Sequence, residues 1–285
     1  MKYLLFDSNY FCWRAFHTPA GNLSYEDFGT GIIHSFLVQV LIHSRNFGLT
    51  FPVFFWDSKK KIRKQIYAGY KDRQQEEMTD DEKEARKELF HQMEILRTEI
   101  LPAIGFKNNF IQTGYEADDL IAKFVIDNPN QSVVLTNDED LLQLVDYCSW
   151  YSPSKQLLIN GKEFRKKYGI EPKQWMDVKA LAGCSSDKVP GISGIGEKYA
   201  IQYLKNEMKS DSIRYNKIES TKGRWLRKRN EKLVSLPYPG TEEIKLKENK
   251  FSIDSFLEVC KTYGMHHLAA QASEWQNHFR IGYGL

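Results

Sequence analysis

Two carboxylates, Asp138 and Asp140, stand just after an apolar run of the sequence, with Glu139 between them. The run, VVLT, is typical of a buried strand. Three acids beyond the end of such a strand do not improve the packing of the core. Helix capping is one explanation, because an aspartate at a helix start accepts hydrogen bonds from free amides. A bound cation is the other. This segment alone leaves both explanations open.

Further acids occupy similar positions elsewhere in the chain. The apolar runs KYLLFD and PVFFWD each end in an aspartate, and YEADDL opens a predicted helix with three acids. One acid at a helix start is explained by the helix dipole, which stabilises it by about 0.3–1 kcal/mol, but three exceed what capping needs. The candidate ligands for a cation are Asp7, Asp57, Glu116, Asp118, Asp119, Asp138, Asp140 and Asp187.

Carboxylate oxygens are the ligands that Mg²⁺ and Mn²⁺ prefer in proteins. Histidine and cysteine are largely missing from these stretches, and the four cysteines of the chain form no CxxC pair, which argues against zinc. Carboxylate-rich sites that hold two ions about 4 Å apart recur in phosphoryl-transfer enzymes. The acids therefore predict a site for two Mg²⁺ or Mn²⁺ ions.

Strand-like and helix-like segments alternate in the first half of the chain. Predicted strands at 2–7 and 52–57 flank a predicted helix at 31–47, and a predicted helix at 117–127 precedes a strand at 132–136. This alternation indicates an α/β fold with a mostly parallel central sheet flanked by helices. Ligands of such sheets bind beyond the carboxyl ends of the strands, where we expect the aspartates to converge.

The composition is that of an ordinary globular protein. Apolar residues make up 41% of the 285 residues and charged residues 27%, and no apolar run approaches the ~20 residues of a membrane helix. The apolar start meets an acid at Asp7, too early for a signal peptide. We therefore expect a cytoplasmic monomer with reduced cysteines and no membrane contact.

Two other segments are strongly charged. Residues 71–100 carry apolar residues only toward their end, which is typical of a solvated helix or a loop, although a gate over the site is the alternative. The segment KGRWLRKRNEKL, at 222–233, distributes basic residues around a predicted helix, either as a solubilising face or as a surface for duplex DNA. We predict two units, 1–160 with the sheet and 161–285 mostly helical.

A glycine-rich segment, VPGISGIGEKYAIQYL, leads directly into a predicted helix. Gly191, Gly194 and Gly196 permit sharp turns, and the amides at the helix start are ready for an anion. Lys198 in the first turn conflicts with the helix dipole unless a phosphate lies nearby. The segment predicts a helix–hairpin–helix, at about 181–204, that grips a nucleic-acid backbone without reading its sequence, although a plain turn is the simpler alternative.

The chain resembles the structure-specific 5′ nuclease family in five ordered motifs. They are FDSNYFCWRAFH, FFWDSKKKIRKQIYAGYKDR, YEADDLIA, TNDEDLLQLV and VKALAGCSSDKVPGISGIGEKYA. The family includes the flap endonucleases, the 5′–3′ exonuclease domain of bacterial DNA polymerase I and stand-alone phage 5′ nucleases. The resemblance covers roughly residues 2–205 and implies a PIN-like core, a helical arch at about 71–100 and a helix–three-turn–helix subdomain.

The resemblance also implies an activity. Two divalent ions on the acidic cluster would support hydrolysis of branched, nicked or primer-bearing DNA, by a 5′–3′ exonuclease and flap endonuclease that leaves 5′-phosphate products. The resemblance assigns Lys71, Arg73 and Arg14 to the scissile phosphate and Arg63 and Tyr70 to DNA binding. It further implies a K⁺ ion at the hairpin, substrates with 5′ flaps, nicks or RNA primers, and replication proteins as partners.

Four features depart from the family pattern. Ser8 stands where the family has Gly, and Gly69 stands where it has Pro. Cys184 stands at an acidic ligand position and Lys188 replaces an Asn, so we expect a weaker second metal site, because a thiolate is a poor partner for Mg²⁺. The motifs are not followed by a polymerase domain, which favours a stand-alone enzyme.

Three alternatives stay open on the sequence alone. A catalytically weakened homologue would bind branched DNA as a module, and Cys184 and Lys188 favour it. A PIN-like ribonuclease would share the acids but lack the hairpin and the arch. A carboxylate-rich phosphatase for small molecules would have no use for the hairpin or the basic helix.

Overall fold

A six-stranded sheet lies at the centre of the computed structural model, which describes residues 2–72 and 78–279. The strands of the described residues are β1 (Tyr3–Asp7), β2 (Ser24–Tyr25), β3 (Phe28–Gly29), β4 (Phe51–Phe55), β5 (Asn109–Phe110), β6 (Ser132–Leu135), β7 (Ser149–Ser152), β8 (Leu157–Ile159), β9 (Gly183–Cys184) and β10 (Val189–Pro190). The order in the central sheet is β5–β4–β1–β6–β7–β8, and β2–β3 and β9–β10 form two separate pairs.

The central sheet is parallel except at one edge. β1 pairs in parallel with both β4 and β6, so that Phe6 lies beside Phe54 on one side and Leu135 on the other. β5 and β7 extend the parallel pairing, and β8 adds an antiparallel edge strand. The carboxyl ends of β1, β4 and β6 therefore lie at the same edge, and the predicted α/β fold with a mostly parallel sheet is confirmed.

Helices cover both faces of the sheet. They are α1 (Ser8–Phe16), α2 (Gly31–Phe47), α3 (Asp80–Ile95), α4 (Leu101–Ala103), α5 (Ala117–Asp127), α6 (Gly161–Tyr168), α7 (Trp175–Ala182), α8 (Glu197–Leu204), α9 (Ile213–Glu219), α10 (Thr221–Val234), α11 (Ile253–Thr262), α12 (His266–Ala270) and α13 (Ala272–Phe279). A π-helical turn, Leu96–Ile100, joins α3 to α4, and 3₁₀ turns cover Pro19–Asn22, Ile62–Gln65, Glu139–Leu144 and Pro172–Gln174. None of the helices in the described ranges combines the length and the apolar character that crossing a membrane requires.

The main strands of the sheet are buried on both faces, which explains their uninterrupted apolar sequences. Successive side chains point to opposite faces, so that Leu4 and Phe6 join one core cluster and Leu5 joins the other. The first cluster contains the apolar faces of α1, α2 and α3. The second contains those of α5, α7 and α8. The sheet is therefore held between two helical layers.

The last three helices pack on the other face of the sheet from the helices that precede them. Whereas α6 to α9 contribute to the second core cluster, α11 to α13 pack in the first cluster, on the other face of the sheet. Phe256, Trp275 and Phe279 are fully buried there, and the rings of Phe256 and Trp275 lie 4.7 Å apart. Each of these helices needs a partner for its apolar face, which the sheet layer provides. The helices of residues 161–285 therefore contribute to both core clusters, and the division at 160/161 stays a prediction.

The described part of the charged segment 71–100 includes the amphipathic helix α3. α3 begins with a capping box in which Thr79 and Glu82 satisfy each other's backbone amides. The first half of α3 is largely exposed, whereas Leu89 and Met93 are buried in the core cluster with α1 and α2. The apolar residues at the end of the segment therefore anchor the helix, and the charged residues at its start face solvent.

Candidate metal centre and nucleic-acid interface

Asp7 and Asp138 are linked through one threonine at the carboxyl edge of the sheet. Asp7 ends β1, where its Oδ1 accepts from the backbone N of Tyr10 at 3.1 Å and caps α1. Thr136, just after β6, donates from Oγ1 to Asp7 Oδ2 at 2.8 Å, and the same Oγ1 accepts from the backbone N of Asp138 at 3.0 Å. The parallel pairing of β1 with β6 thus brings the two aspartates together.

The carboxyl groups at this edge repel one another. Burial and the charge of Asp57 raise the pKa of Asp7 to about 7. Burial and the charge of Asp140 raise the pKa of Asp138 to about 6. Burial and the charges of Asp138 and Asp7 raise the pKa of Asp118 well above its usual value. A divalent cation would remove this repulsion, which capping alone does not explain.

Asp138 is nevertheless also a cap. Its Oδ1 accepts from the backbone N of Asp140 at 2.7 Å, at the start of the 3₁₀ turn Glu139–Leu144. Glu139 lies apart from this arrangement and pairs with Lys155 at 2.6 Å. The three acids after β6 therefore have different roles. Asp138 caps the turn, and Glu139 forms a surface ion pair. Asp138 and Asp140 also belong to the acidic edge of the sheet.

Glu116 is held by two lysines. It is 4% exposed, its Oε1 lies 3.1 Å from Lys61 Nζ and 3.0 Å from Lys71 Nζ, and Tyr70 donates to its Oε2 at 2.7 Å. Burial favours the neutral acid, but the charges of Lys71 and Lys61 lower the pKa of Glu116 to about 2. Lys61 also lies 3.1 Å from Asp57. The two lysines thus balance part of the acidic charge.

Arg63 and Asp119 neutralise each other inside the protein. Arg63, 2% exposed, donates from Nη1 and Nη2 to the two carboxylate oxygens of Asp119 at 2.6 and 2.7 Å. The backbone N of Tyr238 donates to Asp119 at 2.8 Å. Tyr70 is likewise buried, at 2% exposure, and the expected DNA contacts of Arg63 and Tyr70 and the expected ion contact of Asp119 stay predictions. A buried arginine needs a carboxylate partner, and sequence order does not reveal which acid that will be.

Asp140, Cys184 and Asp187 form a second cluster. One ligand atom of each residue lies within 4.8 Å of those of the other two. Asp140 comes from the turn after β6, whereas Cys184 ends β9 and Asp187 follows in the β9–β10 hairpin. Lys179 Nζ lies 3.3 Å from Asp140, and Lys71 Nζ lies 3.5 Å from Asp187. The hairpin therefore delivers a thiol and a carboxylate to the acidic edge of the sheet.

The two clusters offer different donors to a cation. The first consists of Asp7, Asp57, Glu116, Asp118 and Asp138. Its carboxylate oxygens suit Mg²⁺ or Mn²⁺, and the raised pKa values of Asp7, Asp118 and Asp138 indicate that the two lysines leave part of its negative charge unbalanced. The second cluster offers two carboxylates and the Cys184 thiol, a mixed set with one poor donor for Mg²⁺. Among the described residues, only the second cluster brings three ligand atoms within 4.8 Å of one another, whereas the first is joined through Thr136 and through the mutual charge effects of its acids.

Lys71, Arg14 and Arg73 are the basic residues that were predicted to act on the scissile phosphate. Lys71 has a φ of 47°, and its backbone N donates to the backbone O of Asp187 at 2.8 Å. Its ammonium group contacts Glu116 and Asp187 and thereby lies between the two clusters. Arg14 is exposed in the last turn of α1. Arg73 lies outside the described residues. Of the two that the structure describes, Lys71 contacts both clusters.

The hairpin between α7 and α8 is compact because of its glycines. Gly191 lies so close to α7 that an added Cβ would come 2.0 Å from the backbone O of Ala182. Gly194 has a φ of 81°, a conformation that favours glycine. Gly196 and Lys198 are exposed at the start of α8, and an added Cβ at Gly196 would meet nothing within 4 Å. This helix start is therefore open to a ligand such as a phosphate.

A basic and aromatic surface on α10 adjoins the hairpin. Trp225 is 60% exposed, and the guanidinium group of Arg229 lies 5.3 Å from the ring of Trp225 and 4.5 Å from the ring of Tyr67. Arg229 also donates to the backbone O of Pro190 in the hairpin at 3.3 Å. Exposed aromatic rings beside arginine and lysine are typical of surfaces that bind nucleic acid without sequence preference.

Two lysines of the site, the half-buried Lys61 and the buried Lys179, were missed from the sequence. Lys61 is the last residue of a KKK run, four residues after Asp57, and only its burial distinguishes it from its neighbours. Lys179 is 8% exposed, and its Nζ contacts Asp140 at 3.3 Å and Glu197 at 3.0 Å. A lysine within the otherwise apolar end of α7, VKALA, was the signal that could have indicated a buried ion pair.

Two family models match adjacent parts of the chain. The N-terminal resolvase-like domain of 5′–3′ exonucleases matches residues 2–169, and the C-terminal SAM fold of 5′–3′ exonucleases matches residues 170–237. The 5′–3′ exonuclease of Buchnera aphidicola subsp. Schizaphis graminum is 28% identical over 260 residues, which are 89% of this chain and 83% of that protein. DNA polymerase I of Mycobacterium leprae is 31% identical over 232 residues, which are 78% of this chain but 24% of the polymerase.

The fold is also that of a solved nuclease. The flap endonuclease of bacteriophage T5, in a pseudo-enzyme–product complex with DNA and metal ions, matches with a TM-score of 0.66 at 16% identity, over 97% of this chain and 100% of that chain. The two family models together cover residues 2–237. This part of the chain contains the acidic edge, the hairpin and the mostly parallel sheet. The chain belongs to the 5′–3′ exonuclease family.

Proposed function

We propose that this protein is a divalent-metal-dependent, structure-specific 5′ nuclease that hydrolyses phosphodiesters in branched, nicked or primer-bearing DNA. The observation that carries the proposal is the convergence of Asp7, Asp118 and Asp138, whose pKa values are raised by burial and by neighbouring carboxylates, at the sheet edge that also receives the hairpin. A cluster of this kind needs cations, and the hairpin beside it has the form of a phosphate-binding element.

Mg²⁺ or Mn²⁺ would be held at the first cluster by Asp7, Asp57, Glu116, Asp118 and Asp138, and a second ion by Asp140 and Asp187. Bound ions of this type lower the pKa of an attacking water and stabilise the departing oxygen. The chain itself fixes the donors: Thr136 orients Asp7, and the Arg63–Asp119 pair supports the start of α5, where Glu116 and Asp118 stand.

Lys71 is the residue best placed to act on the scissile phosphate. Its ammonium group contacts Glu116 and Asp187, one carboxylate from each cluster, and a phosphate oxygen arriving there would replace these contacts. A positive charge fixed beside the reacting phosphate stabilises the negative charge that develops during hydrolysis. The family resemblance adds Arg14 and Arg73 to this role.

The duplex would lie along the hairpin and α10. Gly194, Gly196 and Lys198 present backbone and charge to one strand, and Trp225 with Arg229 extends the same surface. Contacts of this kind position DNA without reading its sequence. In line with the family, we also propose a K⁺ ion at the hairpin, a monomer that acts in the cytoplasm, and a place beside replication proteins, which the match to a DNA polymerase I supports.

The test is a cleavage assay on matched, 5′-labelled substrates in Mg²⁺: a 5′ flap, a nicked duplex, a 3′ flap and single-stranded RNA. The proposal predicts cuts near the junction of the 5′ flap and at the nick, with little cleavage of the other two. Preferred cleavage of single-stranded RNA would replace the proposal by a ribonuclease. Binding of the 5′ flap without cleavage at any Mg²⁺ or Mn²⁺ concentration would replace it by a DNA-binding module.

A further inference from the structure

We propose that Asp140, Cys184 and Asp187 hold a thiophilic divalent cation of the zinc class, while the neighbouring carboxylate cluster holds Mg²⁺ or Mn²⁺. The observation is the approach of two carboxylate oxygens and one sulfur to within 4.8 Å of one another. The inference rests on the proposed function, because it assigns a cation to one part of the same nuclease site. The inference goes beyond that function because it assigns a different metal to each of the two clusters.

The positions of the three donors are set by backbone contacts on separate elements. Cys184 pairs with Val189 across the β9–β10 hairpin, and the backbone O of Asp187 accepts from Lys71 N at 2.8 Å. Asp140 is held at the start of its 3₁₀ turn by Asp138. Ligands of a tetrahedral zinc ion, at 2.0–2.3 Å from the metal, lie about 3.3–3.8 Å apart. Small rotations of these side chains are enough to bring three donors onto one ion.

Charge balance favours a divalent ion at this cluster. Two carboxylates and a thiolate carry three negative charges. Lys179 and Lys71 contact the two carboxylates, but Lys179 is shared with Glu197 and Lys71 with Glu116. A divalent cation offsets the negative charge that these shared lysines leave, and burial favours such neutralisation. The thiol of Cys184 releases its proton to solvent when the sulfur binds the metal. Cys184 Sγ lies 3.0 Å from Ser186 Oγ and is free of any disulfide.

The donor types decide which cation binds. Sulfur bonds weakly to Mg²⁺, which prefers oxygen in octahedral geometry, but strongly to Zn²⁺, Co²⁺ and Cd²⁺. An aspartate at position 184 would give the same total charge with a hard donor. The sulfur donor of Cys184 is therefore predicted to change the metal preference of this cluster while the first cluster keeps its preference for Mg²⁺ or Mn²⁺.

The experiment is an absorption titration of the metal-free, full-length protein with Co²⁺, in the presence of a phosphine reductant. A thiolate bound to Co²⁺ gives a charge-transfer band in the near ultraviolet. We expect the band in the wild type, its persistence in a large excess of Mg²⁺, and its loss on addition of Zn²⁺. Cys184→Ser and Cys184→Asp should lack the band, and zinc affinity at this cluster should fall at least about tenfold in Cys184→Asp.

The matched control is Cys148→Ser, because Cys148 is likewise free and buried but lies outside the cluster. It should keep the band. Absence of the band in folded wild type, its survival in Cys184→Ser, or its loss to Mg²⁺ would each overturn the inference. Cleavage of a 5′ flap without the band would remove only this inference, whereas the band in a protein that cuts no DNA would remove only the proposed nuclease function.

Discussion

Arg63 and Asp119 form a bidentate ion pair that joins the nuclease sheet to the helices beyond it. Arg63 donates from both terminal nitrogens to Asp119 at the start of α5, and from Nε to the backbone O of Leu233 in α10 at 2.8 Å. The pair lies beside Glu116, whose backbone N donates to Asp119 at 3.1 Å. It therefore sets the position of the acidic cluster relative to the basic helix.

Loss of one partner of this pair should destabilise the protein. We expect Asp119→Ala to lower the free energy of unfolding by about 3–5 kcal/mol, because it leaves the Arg63 guanidinium buried without a counter-charge. The measurement is urea unfolding in EDTA. Asp118→Asn is the matched variant: it removes a carboxyl whose pKa is raised by its neighbours and should leave stability in EDTA unchanged or higher while weakening Mg²⁺ binding. Equal destabilisation by both variants would contradict this division of roles.

The stability of the metal-free protein should fall as the pH rises from about 5 to about 8. The pKa of Asp7 is raised from 3.8 to about 7 and that of Asp138 to about 6, so the folded state binds these protons more tightly than the unfolded chain. Each group then contributes stability that is present below its unfolded pKa and is lost as the pH passes its folded pKa, by up to about 1.4 kcal/mol per pH unit. Glu116, with a lowered pKa, acts in the opposite sense only below about pH 4.5.

This pH dependence is measured by thermal unfolding across the same range, with EDTA and with Mg²⁺. Mg²⁺ should raise the melting temperature little at pH 5 and most above pH 7, because it neutralises the ionised carboxylates. Asp138→Asn is the control, and its melting temperature in EDTA should depend less steeply on pH. A melting temperature that rises steadily to pH 8 in EDTA, with no effect of Mg²⁺, would show that these carboxyls do not repel one another.

The part of the site that follows the strand ends was predictable from the sequence. Asp7 and Asp138 follow apolar runs that the parallel sheet aligns, so a pattern of residue types was enough to place them at one edge. The same pattern did not reveal the ion pair of Asp119, which stands beside Asp118 in the sequence but is turned inward to Arg63 by one helical position. Sequence spacing shows that acids cluster, whereas packing decides which of them bind an arginine.

The sequence also did not reveal which face of the sheet the last three helices pack against. The helices α11 to α13 look like a continuation of the basic helical region, yet Phe256 and Trp275 place them on the first face of the sheet. Their apolar positions show that they need a partner, but not which face provides it. The ion pair of Lys179 could not be predicted for a similar reason, because its partner Asp140 lies on an element that is distant in the sequence.

Lys71 should contribute to the chemical step more than to DNA binding. Lys71→Ala removes the ammonium group between the two clusters and should lower the single-turnover rate of flap cleavage by about 10²–10³-fold. Lys64→Ala is the matched control, since Lys64 is exposed and pairs only with Asp72 among the described residues, at 3.1 Å. Equal effects of the two variants, or a change confined to the flap dissociation constant, would argue against this role.

The hairpin should respond to substitution according to the space at each glycine. Gly191→Ala should destabilise the fold, because its Cβ would collide with the backbone O of Ala182. Gly196→Ala should fold normally, since the position is open. Lys198→Ala should weaken binding to a nicked duplex and lower the salt slope of the dissociation constant by about one. An unchanged salt slope would place Lys198 away from DNA.

The most direct measurement of the central claim compares the wild type with Asp138→Asn on a 5′-labelled flap duplex, with binding and single-turnover cleavage measured on the same preparations over a Mg²⁺ titration. The account predicts Mg²⁺-dependent cleavage near the junction by the wild type, abolition by EDTA, and flap binding without cleavage by Asp138→Asn. Cleavage by Asp138→Asn at the wild-type rate and Mg²⁺ requirement would show that the acids at the sheet edge are not the catalytic metal centre.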